Sequence, residues 1–325
     1  MDYVWVSVLT HHPRRSGYVF YLVLSIIRMK ELITFALVMT IFIYVFYQVL
    51  NKKVLFDYPP REDPLPDVHY GGLPKIIWTY WHSNLVPELV AHCFDRMKKY
   101  NPEWSMVILN PKNVSKYIDD DIYGLRWAKT PQKITDFIRI SLLEKYGGVW
   151  LDATLLVNAP LDWLYNFTGY EFIGYYIESS STKKNWPIVE NWFLACTTGC
   201  RFVALWKEEF WRINDFDTLE DYIQNLKDQG VDLQKVSWEY LVMHMAAQQV
   251  LQKRMTFGEI REELYLMKAE DGPFKYQAKN KWDTRKTLLA LQESREPLVK
   301  FTGSSRDDIN NSKELMGLVK TIPSA

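Results

Sequence analysis

The chain has 325 residues, with 39 Lys and Arg against 39 Asp and Glu, 48% apolar residues, and 13 Trp, 20 Tyr and 16 Phe. That is ample material for a core, and the balanced charge excludes a nucleic-acid binder working through bulk electrostatics. Three cysteines (Cys93, Cys196, Cys200) are no disulfide framework; a Cys196–Cys200 bridge is open to them, but buried thiols are the expectation, and the six histidines form no zinc pattern.

Leu32–Leu50 (LITFALVMTIFIYVFYQVL) is nearly all apolar. As a helix it would span about 28 Å, close to the hydrocarbon core, and it is too long for a signal-peptide core. The expectation is a transmembrane signal-anchor over 32–50. Arg14, Arg15, Arg28 and Lys30 precede it and Lys52 and Lys53 follow. This asymmetry favours residues 1–31 on the cytoplasmic side and the rest on the lumenal or external side. Asp57–Asp67 (DYPPREDPLPD) reads as an extended spacer, so 51–70 is taken as a stem and 71–325 as one globular domain. Asn113, Asn166 and Asn310 each begin an N-glycosylation triplet, a weak pointer to the same lumenal placement.

Leu73–Tyr80 predicts a first strand, Pro87–Lys99 an amphipathic helix and Trp104–Leu109 a second strand. Asp119-Asp120-Asp121 lacks a strand-end context and reads as a solvated charge run. Thr130 followed by Pro131 is a helix start, apolar residues recur at helical spacing from Ile134 to Leu143, and Gly147-Gly148 supplies a stop. Val149, Trp150 and Leu151 then form a short buried strand with Asp152 at its C-terminal end, where open α/β sheets bind ligands. Asp136 and Arg139, three apart, share one face of the helix. A carboxylate that accepts from sugar hydroxyls, a guanidinium that donates to phosphate and a strand-end carboxylate that holds Mg²⁺ or Mn²⁺ suit a sugar nucleotide. The same spacing fits an ion pair on a solvated face, with Asp152 starting a turn.

Glu171–Ile177 predicts a further strand, and the polar loop Glu178–Asn185 a segment that closes on a ligand. Arg201–Ile213, Thr218–Asp228 and Ser237–Lys253 read as helices, His244 in the last being a packing or acceptor-side histidine. Val299–Thr302 reads as a late strand.

TDFIRISLLEKYGGVWLDAT resembles the signature of the DXD sugar-binding glycosyltransferases, a superfamily that includes family 32 mannosyltransferase-like enzymes. Its ending W-L-D-A-T is most similar to the capsular polysaccharide synthesis protein branch. The resemblance extends to LPKIIWTYWHS (Leu73–Ser83) and IVENWFLACTTG (Ile188–Gly199). It implies a GT-A fold, Rossmann-like with a mixed central sheet. It also implies transfer of a sugar, with retention, from a UDP- or GDP-sugar to a glycan or glycoconjugate hydroxyl. By the same resemblance Trp78, Tyr80 or Trp81 stacks on the base, Asp136 and Arg139 meet the donor, and Asn191 faces donor sugar or acceptor, with Trp192 a weaker candidate. Lys300 offsets leaving-group charge, and a Mn²⁺ or Mg²⁺ sits on Asp152 and Thr154. Thr154 stands where the signature has its second carboxylate, which weakens the expected metal site. Were the reaction inverting, Glu178 or Glu190 would be the base. Anchor, stem and domain together make the layout of a type II Golgi transferase. A nucleotide-sugar hydrolase and an inactive sugar-nucleotide-binding protein are the rival readings.

Overall fold

The computed structural model describes residues 13–50, 55–67, 69–236 and 241–325, with the side chains at 13–20, 22–24 and 45–50 outside that description. Two compact units divide the chain, Met1–Lys53 and Val54–Ala325. The described part of the first is a helix, α1 (Pro13–Leu50), which contains the segment expected to span a membrane. Among the described residues, no helix is long and apolar enough to cross a membrane. The described run 25–44 includes Arg28, Lys30 and Glu31, and the side chains at 45–50, which complete the expected 32–50 span, lie outside. The span expected from the apolar run is therefore not reproduced in the described part of α1.

The second unit opens with β1 (Leu55–Asp57), β2 (Arg61–Glu62), β3 (Ile76–Tyr80), β4 (Leu85–Pro87), α2 (Glu88–Tyr100) and β5 (Ser105–Leu109). Helix α3 (Pro131–Tyr146) leads into β6 (Gly148–Leu151), β7 (Leu155–Val157), β8 (Phe172–Tyr176) and β9 (Val189–Cys196). Next come α4 (Arg201–Trp211), α5 (Leu219–Asp228), α6 (Val242–Gln249), α7 (Phe257–Glu263) and β10 (Leu264–Lys268). Then follow α8 (Lys275–Lys279), α9 (Thr284–Leu291), β11 (Leu298–Lys300), α10 (Gly303–Asn310) and α11 (Lys313–Lys320).

Seven strands form one mixed sheet in the order β10-β8-β9-β6-β3-β5-β2, in which β9 and β2 run against the other five. Both faces are covered. Along β3, Ile76, Trp78 and Tyr80 pack with Phe137 and Ile140 of α3, while Ile77 packs with Val90, Phe94 and Met97 of α2. Burial on both sides is why these strands read as unbroken apolar runs rather than alternating ones. Strand β9 was not predicted as a strand, although it joins the two halves of the sheet.

Helix α3 starts as expected, Thr130 Oγ1 accepting from the Lys133 N–H at 3.3 Å with Pro131 at the first helical position. Its end requires glycine twice. Gly147 (φ +67°) and Gly148 (φ +90°) reverse the chain, and a Cβ on either would come within 2.9 Å of backbone, Thr198 N or Ile76 O. The expected stem does not behave as a spacer. β2 pairs with β5, Arg61 opposite Ile108, and Tyr58 hydrogen-bonds Asp95 at 3.0 Å, so the compact unit begins at Val54 and not at 71. The proline-rich segment has enough apolar and charged side chains to lie along the sheet edge. All three cysteines are free and buried. Asn113, the first asparagine of an expected glycosylation triplet, is 2% exposed with its amide bonded internally, which closes that site in the folded protein. In the acidic run, Asp119 pairs with Lys145 at 2.7 Å and the Asp121 side chain caps the turn at Gly124.

Candidate functional site

The C-terminal ends of β3 and β6 and the N-terminal end of the antiparallel β9 lie along one sheet edge. Asp152 follows β6 directly, its N–H bonded to Trp192 O of β9 at 2.9 Å. Trp150 and Asp152 are two apart in an extended segment and so point to one side; the indole Nε1 donates to Asp152 Oδ1 at 3.0 Å. From α3, Arg139 Nη2 donates to the same Oδ1 at 2.9 Å, its guanidinium 5.2 Å from the Trp150 ring centre. Arg139 Nη1 is bonded to Asp136 Oδ1, which also accepts from Asn191 Nδ2 at 3.1 Å.

The fourth charge comes from far along the sequence. Strand β11 pairs antiparallel with β7, setting Lys300 opposite Leu155, and Lys300 Nζ reaches Asp152 Oδ2 at 2.6 Å. Lys300 is pinned on both sides: its N–H bonds to Pro273 O at 3.2 Å and its C=O accepts from Gln277 at 2.6 Å. The result is a cluster of two carboxylates and two cations whose charges sum to zero, the form in which buried charge is tolerated. The Asp152 side chain keeps 22% exposure, against 5% for Arg139 and 9% for Lys300. Burial opposes charge on Asp152, but Lys300 and then Arg139 outweigh it and hold the carboxyl well below the ordinary range. Burial lowers the Lys300 ammonium despite the pull of Asp152. Burial also raises the Asp136 carboxyl, which Arg139 offsets only in part.

Asp152 and Lys300 open onto a cavity of about 300 Å³ that Glu190, Asn191, His244 and Arg306 also line. Its remaining wall includes Trp192, Phe274 and Phe301, and the first residue of α10, Gly303. His244 Nε2 lies 3.8 Å from Glu190 Oε2, and its Nδ1 is buried with no hydrogen-bond partner among the described residues. Trp192 is packed, stacked on Tyr175 at 5.1 Å between centroids, with one face 6.0 Å from Lys300 Nζ.

Of the predicted residues, the structure brings Asp152, Asp136, Arg139, Asn191 and Lys300 together. Only Asp152, Asn191 and Lys300 of these border the cavity; Asp136 and Arg139 stand behind them and hold Asp152 and Asn191. The aromatic trio lies elsewhere. Trp78 is fully buried with its indole N–H on Gly147 O at 2.9 Å, and Tyr80 is 4% exposed, facing Tyr123. Trp81, half-buried just past β3, is the one with surface left. Glu178 is turned away, ion-paired to Lys268, and the backbone of Glu178 and Ser179 is tied to Glu270. Trp150 and Arg306 were missed. The W-x-D spacing on a strand is a signal that could have found Trp150; nothing in the sequence brings Arg306 to this edge.

The expected Mg²⁺ or Mn²⁺ does not fit the residues present. Such ions need several oxygen ligands, commonly carboxylates and water. Both oxygens of Asp152 are already held by cations, and Thr154 is 2% exposed and outside the cavity wall. No group of three His, Cys, Asp or Glu suited to a metal occurs among the described residues.

A mixed α/β sheet with a charged, partly open cluster at the strand ends defines an α/β ligand-binding domain. More narrowly, the chain belongs to the capsular polysaccharide synthesis protein family, whose model matches residues 67–302. It is similar to the O-glycosyltransferase braB of Annulohypoxylon truncatum, 26% identical over 43% of this chain and 38% of that protein. It is also similar to inositol phosphoceramide mannosyltransferase 3 of Schizosaccharomyces pombe, 27% identical over 30% of this chain and 28% of that protein. The chain thus spans well under half the length of these curated relatives. A crystal structure of a glycosyltransferase involved in the glycosylation of the major capsid of PBCV-1 aligns with 74% of this chain and 98% of its own. The TM-score is 0.41 and the identity 8%.

Proposed function

We propose that this chain is a glycosyltransferase of the GT-A type, moving a sugar from a nucleoside diphosphate donor to a hydroxyl of a glycan or glycoconjugate. The observation that carries the reading is the meeting of Asp152 and Lys300, with Arg139 behind them on Asp152, at the rim of a cavity that Glu190, Asn191 and His244 also line. Lys300, Arg306 and the first turn of α10 supply positive charge and N–H donors for a diphosphate. Glu190, Asn191 and His244 supply acceptors and donors for sugar hydroxyls, and Trp81, half-buried past β3 and outside this cavity's wall, offers an aromatic face for a base. Family membership and two glycosyltransferase relatives support the same class. The apolar run at 32–50 supports a type II membrane anchor with a lumenal, Golgi-type placement of the catalytic unit.

In this reading the anomeric C–O bond to the diphosphate breaks, its electron pair leaving with the phosphate. The acceptor oxygen forms the new bond on the same face, and its proton passes to the departing phosphate oxygen, so configuration is retained. A second reading has a specific observation behind it. Glu190 is the one carboxylate, among the described residues lining the cavity, whose oxygens are not both held by cations. As a base it would take the acceptor proton and the product would be inverted.

The test is a panel of UDP- and GDP-sugars, assayed for nucleoside diphosphate release with and without candidate glycans, with the product anomer assigned by NMR. Release that never depends on an acceptor would replace transfer by hydrolysis. Tight donor binding without any release would leave a binding protein.

A further inference from the structure

The misfit between the expected ion and the residues around Asp152 points to a positive reading, which rests on the sugar-nucleotide assignment above. We propose that this site works without a divalent cation: the Lys300 ammonium occupies the place on Asp152 that an ion would take. With Arg306 and the α10 N-terminus it carries the diphosphate charge itself.

Four observations carry this. Lys300 Nζ sits 2.6 Å from Asp152 Oδ2, and Arg139 and Trp150 take Oδ1, so neither oxygen is left for an ion without breaking a charge-assisted bond. The strand that delivers it is held in place, because the Lys300 backbone is paired in β11 with β7 and hydrogen-bonded to Pro273 and Gln277. A doubly charged ion placed at Asp152 would stand beside two buried cations, and the residue two positions on, Thr154, adds no negative charge to offset them. Finally, Lys300, Gly303 and Arg306 line one cavity, so two cations and the N-terminal end of α10 converge where a diphosphate would lie. Asp152 is then a positioning residue that holds Lys300, and Lys300 is the group that meets the leaving diphosphate as its negative charge develops. The bonds broken and formed are those of the transfer above; only the source of positive charge differs.

The experiment uses the full chain. Mn²⁺ is titrated into the protein alone and followed by EPR; the expectation is no site tighter than about 1 mM. A site of about 100 µM or tighter that disappears in Asp152→Asn would overturn the proposal. Calorimetry then compares UDP and GDP binding in EDTA and in Mn²⁺. Equal affinity within about twofold supports the proposal, and binding at least about tenfold tighter with Mn²⁺ overturns it. Lys300→Gln should weaken nucleotide binding in EDTA by about 10- to 100-fold, the worth of a charge-assisted hydrogen bond. An unchanged affinity in that variant overturns the role of Lys300. Should Lys300→Gln not fold, Arg306→Gln should still show a loss of at least about threefold in EDTA. If neither nucleotide binds in either medium, the donor assignment fails while the Mn²⁺ titration still decides whether Asp152 holds an ion.

Discussion

Replacing Asp152 by Asn removes the one negative charge that two buried cations share, and the cost can be worked from the contacts. At an effective dielectric of about 20, a unit pair at the observed 2.6 Å is attracted by about 6 kcal/mol and one at 2.9 Å by nearly as much. Desolvation of the three groups returns most of that, so the pairs add little net stability while intact. Cutting the anion leaves Lys300 and Arg139 buried without it, and that loss is expected to be about 3–5 kcal/mol. For a unit of this size it lowers the unfolding midpoint by roughly 5–15 °C. Thermal unfolding of the full chain, followed by tryptophan fluorescence, measures it. The double variant Asp152→Asn with Lys300→Met should recover at least about 1 kcal/mol relative to Asp152→Asn alone. The pH dependence has a fixed sign. The Asp152 carboxyl titrates lower in the folded protein than unfolded, so its contribution is complete above the ordinary carboxylate range. It is lost progressively as pH falls from that range through the folded value, so the gap between wild type and Asp152→Asn should start to narrow below the ordinary carboxylate range and close in strong acid. A variant as stable as wild type at neutral pH, with no coupling to Lys300, would refute the reasoning.

Arg139→Lys should lower transfer by about 10- to 100-fold, because an ammonium cannot bridge Asp136 and Asp152 as the planar fork does; equal kcat/KM would remove that bridge from the mechanism. Glu190→Gln should lower kcat/KM by about 10-fold or more while the unfolding midpoint moves little, since among the described residues its ion-pair contact is only a long one, 3.8 Å to His244. Its full activity would place the acceptor elsewhere. Gly147→Ala should destabilise by about 2 kcal/mol or more, as its Cβ meets Thr198 N at 2.9 Å and the backbone is left-handed; chemical denaturation gives the number, and an unchanged midpoint would contradict the turn geometry.

The helix from Thr130, the glycine stop, the strand ending at Asp152 and the mixed α/β class were legible because each rests on local chemistry. Capping, helical period and positive φ are properties of neighbouring residues. What escaped was set by distant partners. Strand β9 begins with Val189, Glu190 and Asn191 and then runs apolar into the centre of the sheet, a pattern that periodicity alone does not separate from a buried helix. Trp78 looked free to stack on a ligand because no sequence signal told that Gly147 O and Tyr117 would enclose it. Lys300 was attached to leaving-group charge by resemblance, but its salt bridge to a residue 148 positions earlier depends on the β11–β7 pairing. The proline-rich 57–67 segment was read by composition as a spacer, and composition does not reveal that a sheet edge is waiting for it.

The route by which Lys300 arrives has a consequence for biogenesis. A chain folding as it is synthesised can lay down β3, β5, β6, β8 and β9 long before residue 300 leaves the ribosome. Until then Asp152 at the pocket mouth has Arg139 alone as counter-charge, the second still unmade. The charge cluster is therefore completed late, when β11 zips onto β7 and α10 follows, and a nascent or truncated product ending ahead of that strand would hold most of the sheet without Lys300 and Arg306.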